Sequence, residues 1–189
     1  MTATAPRTRS ESLPASGTWT IDASHSSVEF VVRHLMVAKV RGRFSEFGGT
    51  IQVGETPETS SVEVSISPAS ITTGDPGRDG HLQSADFFEV EQFPTIGFRS
   101  TAVRAVKGER YEVDGELTVR DVTKPVTLDL EYQGSITDPF GNDKAVFSAG
   151  TEIDREDWGL TWNQALESGG VLVGKKAKIE IEIEAVHTV

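Results

Sequence analysis

The sequence predicts an all-β protein: an eight-stranded antiparallel barrel with one short helical insertion. Apolar and polar residues alternate almost continuously after residue 17, and only one stretch has a helical pattern. A period of two gives each strand one dry and one wet face, as in an antiparallel sheet with one buried side. About eight long strands in one domain leave a barrel or a sandwich. Short linkers between successive strands favour the up-and-down barrel, which side chains can fill or which can hold one small apolar molecule.

The stretch His25–Phe47 is the most informative element. It begins as a strand in which Val28, Phe30 and Val32 share one face. It then breaks at an apolar tip, Leu35-Met36-Val37, before a second strand begins. An apolar tip between two strands predicts that another molecule covers it or passes beside it.

Alternation continues to the end of the chain. After Trp19 and Ile21, the later dry faces comprise Val62, Val64 and Ile66; Ile96 and Phe98; Tyr111, Val113, Leu117 and Val119; Val126, Leu128, Leu130 and Tyr132; Phe147, Ala149 and Ile153; and Ala177, Ile179, Ile181, Ile183 and Ala185. The pattern slips once, because Phe44 and Phe47 are three residues apart. An odd spacing moves side chains to the other face unless a residue is bulged out. Gly48-Gly49 beside the slip can adopt the backbone angles of such a bulge or bend.

The helical insertion is predicted over residues Pro76 to Ser84, with Asp75 as its N-cap and proline at an early position. Two glycines within it limit the helix to one or two turns. Three phenylalanines follow in the connection, at positions 87, 88 and 93. They either plug the core at one end of the sheet or form a lid over a cavity, since both arrangements bury an apolar loop.

A second distinctive segment, Asp154–Asn163, contains two tryptophans. We interpret Trp158 as a buried corner of the barrel, where Asp154 and Asn163 bind the loop backbone. Trp162 could belong to the same corner or to a ligand pocket.

Composition narrows the function. The formal charge of −11, from 29 acidic and 18 basic residues, argues against nucleic acid or an anionic membrane as a nonspecific partner. No apolar run approaches the ~20 residues of a membrane-spanning helix. Residues 1–16 read as a disordered tail without the apolar region of a secretory signal. We therefore expect a cytoplasmic chain that does not span a membrane.

Motifs for catalysis or metal binding are missing from the sequence. There are no cysteines, and none of the four histidines is paired at metal-ligand spacing. There is no GxSxG motif and no phosphate-binding glycine loop. We therefore predict no metal, no cofactor and no catalytic residue.

Four segments resemble the signatures of the YceI family, in the family's order. They are WTIDASHSSVEFVVRHLMVAKVRGRFSEFGGTI from residue 19, DPGRDGHLQSADFFEVEQFPTIGFRS from 75, GELTVRDVTKPVTLDLEYQG from 115 and IDREDWGLTWN from 153. The resemblance covers residues 17–189 as one domain. It implies an extended, lipocalin-like barrel whose long apolar pocket holds a polyisoprenoid or a prenylated quinone.

The resemblance also implies which residues bind the ligand. The His34-Leu35 and His81-Leu82 pairs match the family pattern and are expected beside the pocket. The full predicted set is Phe30, Val32, His34, Leu35, Met36, Phe44, Leu82, Phe87, Phe88, Phe98, Phe147 and Trp162.

Three hypotheses follow from the sequence. The first is a non-enzymatic binder that carries, stores or protects a long apolar molecule, which burial alone can hold with few polar contacts. The second is an enzyme acting on a prenyl or other hydrophobic substrate, with His34, Arg33 and Asp154 as its candidate polar groups. The third is a structural protein with a filled barrel. The apolar tip could serve ligand access or a homodimer contact.

Overall fold

The computed structural model describes residues 13–188, which form eleven strands and one α-helix. The strands are β1 Gly17–Ile21, β2 Ser27–His34, β3 Ala38–Phe44, β4 Phe47–Val53, β5 Ser61–Ile66, β6 Ile71–Thr72, β7 Ile96–Lys107, β8 Arg110–Val119, β9 Val122–Thr137, β10 Asp143–Asp154 and β11 Val173–Thr188, and α1 is Pro76–Gln83. The helix confirms the predicted insertion, because the Asp75 carboxylate accepts a hydrogen bond from the Arg78 amide and proline occupies the first turn.

The sheet closes into an antiparallel barrel of eight long strands, as predicted. The last strand, β11, pairs with β10 on one side and with both β1 and β2 on the other. Thus β1 and β2 together make one long strand that is interrupted by a short turn. In the next long strand, β4 pairs with β1 and β3 pairs with β2. In the one after that, β5 pairs with β4 and β6 pairs with β3. Successive long strands are neighbours all around the ring.

Of the bulge and the bend that the sequence allowed beside Gly48-Gly49, the structure shows a bend, and the two glycines do not make it. The parity change comes from a break at Ser45 and Glu46, between β3 and β4, and neither glycine has a positive φ angle. The Ser70 hydroxyl oxygen accepts hydrogen bonds from the backbone amides of both break residues, at 3.1 and 3.0 Å. A break of two residues resets the side-chain alternation without an unpaired residue inside a ladder. The neighbouring long strands break at residues 22–26 and 67–70, so three adjacent strands turn a corner together.

One end of the barrel is filled by side chains. Trp19 is buried there, and its indole N–H donates to the Ala15 carbonyl at 2.9 Å. Leu13 packs on the same cluster and Pro14 is buried. Residues 13–16, which the sequence analysis placed in the tail, therefore cover this end of the barrel. The rest of the predicted tail, residues 1–12, lies outside the described residues.

The outer face carries an ion network whose loss we expect in acid. The Lys178 ammonium and then the Arg41 guanidinium lower the pKa of Glu180 to about 2, from 4.5. A carboxyl whose folded pKa lies below its unfolded value stabilises the fold above the unfolded value and loses that contribution as pH falls. Unfolding by urea should therefore show stability declining from about pH 4.5 to pH 2, with a shallower decline for Glu180→Gln. If the stability of Glu180→Gln declines with pH as steeply as that of the native chain, this assignment is contradicted. Glu55→Gln, in an exposed loop, is the control and should decline as the native chain does.

Candidate ligand-binding cavity

The barrel encloses a cavity of about 600 Å³ that is lined almost entirely by apolar side chains from all eight long strands. This volume lies in the range of small-molecule sites. The predicted residues that the structure places on the wall are Phe30, Val32, His34, Phe44, Leu82, Phe87, Phe88, Phe98, Phe147 and Trp162. The cavity does not fit the hypothesis of a filled barrel, because side chains occupy only part of the interior.

Leu35 and Met36 are the two predicted site residues that do not line the cavity. Both occupy the left-handed region, with φ angles of 52° and 66°, in the turn between β2 and β3. They are 44% and 53% exposed. The Met36 side chain lies near Gly170 in the loop before β11. The tight turn interrupts the alternation that directs Phe30, Val32 and His34 inward, so Leu35 and Met36 lie off the cavity wall, and their part in ligand binding stays a prediction.

Two buried glycines let aromatic rings lie along the wall. A Cβ at Gly42 would stand 2.5 Å from Phe30 Cε1 and closer still to Cζ, so the ring crosses the space that a side chain would need. Gly115 leaves the same space for Phe98, whose Cε2 would lie 2.5 Å from an added Cβ. Rings held against the backbone bury apolar area without projecting fully into the lumen.

The sequence analysis did not assign two groups of wall residues to the site. The aliphatic group, which includes Leu128, Leu130, Ile179 and Ile181, was found as dry faces by alternation but was not distinguished from a packed core. The second group contains Arg78 and Arg155. No sequence signal separates an arginine on a cavity wall from one on the surface.

The helix α1 and the segment after β10 meet at one end of the cavity. His81 on α1 lies edge-on to Trp162, with ring centroids 4.5 Å apart, and both rings contact Phe87. The His81 ring also lies 2.8 Å from the Asp86 carboxylate. Trp162, left open by the sequence, is therefore on the cavity wall.

Trp158 forms the predicted corner. It is buried, and its indole N–H donates to the Leu117 carbonyl at 2.9 Å. Asn163 binds the Val173 backbone through both its amide nitrogen and its carbonyl oxygen, at 2.7 and 3.0 Å. Asp154 accepts a hydrogen bond from the Glu156 amide and does not line the cavity.

The connection from His81 to Phe93, which we call the lid segment, covers the same side of the barrel. Phe87 and Phe88 reach the cavity wall, whereas Phe93 lies under the Arg120 guanidinium at 5.5 Å. Arg120 also pairs with Glu89 at 2.7 Å. Both members of this pair have left-handed backbones, with φ angles of 57° and 48°. The ion pair therefore attaches the lid segment to the turn between β8 and β9.

One side-chain group elsewhere has the composition of a metal site. Single ligand atoms of Asp22, His25 and Glu184 lie within 4.8 Å of one another. The Lys144 ammonium, however, lies 2.5 Å from Glu184 and 4.0 Å from Asp22. A cation already neutralises these carboxylates, so the group has an ordinary structural explanation, and the absence of a bound metal stays a prediction.

Fold and cavity together define the class of protein, a closed up-and-down β-barrel with an apolar interior. Within that class the chain belongs to the YceI-like family, because the model of the YceI-like domain matches residues 19–185. No helix within residues 13–188 is both long and apolar enough to cross a membrane.

Relatives agree with this assignment. UPF0312 protein SA2479 of Staphylococcus aureus (strain N315) is 39% identical over 170 residues, which cover 88% of this chain and 95% of the relative. The crystal structure of the Campylobacter jejuni YceI protein matches with a TM-score of 0.71 and 28% identity, covering 83% of this chain and 90% of that one. A polyisoprenoid binding domain from Saccharophagus degradans shares the fold, with a TM-score of 0.70, 16% identity and coverage of 90% and 98%.

Proposed function

We propose that the chain binds a long apolar molecule, a polyisoprenoid or a prenylated quinone, inside the barrel for carriage, storage or protection. The observation that carries this proposal is the apolar cavity of about 600 Å³ within a closed barrel. Membership of the YceI-like family supports it, and a domain of the same fold from Saccharophagus degradans is described as polyisoprenoid binding.

The energetics favour a hydrocarbon chain. Each CH₂ group transferred from water to such a wall contributes about 0.8 kcal/mol. A prenyl chain with many such groups needs few directional contacts. The enzymatic alternative has less support, because Asp154, one of its three candidate polar groups, does not reach the wall.

Mass spectrometry of the purified protein tests the proposal. Native spectra should show a mass increment, and organic extraction should release a near-stoichiometric isoprenoid. Protein stripped of lipid should then take up an added prenylquinone. A clean extract together with no uptake would refute the proposal, whereas chemical conversion of the added molecule would favour the enzyme.

The lid segment should respond to ligand. We expect amide hydrogen exchange in residues His81 to Phe93 to slow on lipid addition more than in Tyr111–Val119, because apolar lid side chains gain contacts when the lumen is filled.

Glu89→Gln removes the charge that pairs with Arg120 and should speed both lid exchange and ligand dissociation. Glu91→Gln, exposed two positions away, is the matched control. Equal lid protection with and without ligand would make the segment a core plug.

The homodimer and the cytoplasmic location stay predictions. The apolar tip is the candidate dimer contact, and Val37 there is 82% exposed. Sedimentation equilibrium of the native chain and of Val37→Glu would test the contact: a dimer that the substitution dissociates supports it, and a monomer in both cases contradicts it.

A further inference from the structure

The polar groups of the cavity wall are unevenly charged. Five cationic or protonatable side chains stand on the wall of a chain whose net charge is −11: Arg33, His34, Arg78, His81 and Arg155. Among the described residues that line the cavity, the only carboxylate belongs to Glu29, which is engaged by Arg41 at 2.7 Å. The wall of an acidic protein is thus locally basic.

Arg155 is the most constrained of these groups. It is 5% exposed, and its guanidinium donates to the carbonyls of Leu160 and, at 2.9 Å, Gly174. Within residues 13–188, no carboxylate oxygen lies within 4.0 Å of its nitrogens. An arginine side chain stays protonated in proteins, so this is a buried positive charge whose direct contacts are backbone carbonyls, while the carboxylates of Glu156 and Asp154 act on it only from beyond ion-pair distance.

The backbones of Arg33 and His34 lie beside residues whose carbonyls accept hydrogen bonds from Arg155, namely Gly174 and, at 3.5 Å, Val173. Val173 pairs with His34 across the ladder between β11 and β2, and a Cβ at Gly174 would lie 3.2 Å from the Cβ of Arg33. Arg33 itself is exposed and has no ion pair within the described chain. These contacts place the end of β2 beside the residues that hold Arg155.

The helix α1 supplies the remaining two basic groups. Arg78 and His81 lie three residues apart and both line the cavity. Arg78 donates to the Thr73 hydroxyl and carbonyl, at 2.7 and 3.1 Å, and no carboxylate among the described residues lies within 4.0 Å of its guanidinium. His81 faces the Asp86 carboxylate and the Trp162 ring, which belongs to the same segment as Arg155. We call the set Arg33, His34, Arg78, His81 and Arg155 the basic rim.

We propose that the cavity takes an amphiphile whose polar head is an oxyanion, a phosphate or a carboxylate, and that the basic rim binds that head while the apolar lumen holds the tail. This inference rests on the proposed function and specifies its ligand class. Guanidinium groups match the planar, paired oxygens of both anions, and desolvated charge-assisted hydrogen bonds are the strong ones. A neutral quinone or hydrocarbon would leave the buried charge of Arg155 without an anion in direct contact.

Ligands that share a tail and differ only in the head test the proposal. Geranylgeranyl phosphate, geranylgeranoic acid and geranylgeraniol are titrated below their aggregation concentrations into delipidated full-length protein, with tryptophan fluorescence as the readout because Trp162 is on the wall. We expect at least one anion to bind about tenfold or more tightly than the alcohol, equivalent to about 1.4 kcal/mol. The phosphate and carboxylate arms identify which head the rim prefers.

Variants locate the effect. Arg78→Gln should reduce the preference for the anion over the alcohol several-fold, whereas Arg99→Gln should leave it unchanged, since Arg99 lies on the outer face beside Glu63. Circular dichroism checks that both variants are folded, and Arg33→Gln provides a second rim variant on a different strand. Equal affinity for all three ligands overturns the inference but leaves the proposed function standing. Failure of every ligand, and of the prenylquinone, to bind overturns both.

Discussion

Phe30→Asp should weaken ligand binding about 100-fold and destabilise the barrel. Phe30 lies on the cavity wall, opposite Gly42 on one side and Ile179 on the other. A carboxylate there would have no cationic neighbour in the ladder and would face apolar surface. Holding this unpaired charge against apolar surface should lower the free energy of unfolding by about 3 kcal/mol. Covering the charge with an apolar ligand should cost a similar amount, which weakens binding ~100-fold. Urea denaturation and titration with a prenylquinone measure the two effects.

The matched control is Val31→Asp, one residue along the same strand. Val31 pairs with Arg41 and Lys178, so it shares the outer face with two cations. An aspartate there should cost little stability and leave ligand affinity unchanged. If the two variants behave alike, the strand phase is wrong. Phe30→Ala should enlarge the cavity, with a smaller loss of stability than Phe30→Asp.

Gly42→Ala should narrow the lumen with a single added methyl group. The new Cβ would collide with the Phe30 ring, which must then turn into the cavity or force the strands apart. Overpacking of this kind costs about 1–3 kcal/mol. We expect weaker binding of long prenyl chains and a lower denaturation midpoint.

Two comparisons isolate that mechanism. Gly97→Ala adds the same methyl group to β7, where an added Cβ meets nothing within 4 Å, and should change neither property. In a Phe30→Ala background, Gly42→Ala should lose most of its cost, because the colliding ring is gone, and the double-mutant cycle gives the coupling. An undiminished cost in that background would show that the ring is not what Gly42 accommodates.

Alternation was sufficient to predict the strands, and the short linkers between them favoured a closed ring over a sandwich. Each strand buries one face, so neighbouring residues alternate between apolar and polar. The helix cap at Asp75 is likewise recognised from adjacent residues. The slip between Phe44 and Phe47 was visible, but its cause was left open. A bulge and a two-residue break shift parity alike, and only the strand partners distinguish them.

The site was predictable where it follows the dry faces. Phe30, Phe44, Phe98 and Phe147 lie on the cavity wall because alternation carries them inward. Alternation gives no direction for Leu35 and Met36, because a left-handed turn ends the strand pattern there, and both lie off the wall.

By itself, the sequence determined the β-barrel class, the order of its strands, the helix and the inward-facing residues, since each is encoded in neighbours a few positions apart. The tertiary structure alone decided that the interior is partly empty and that Arg78 and Arg155 reach it. Cavity volume depends on how rings from distant strands lie against Gly42 and Gly115, and the rim depends on β2, α1 and the segment before β11 converging. Neither leaves a local signature, because the residues concerned come together only when the ring closes.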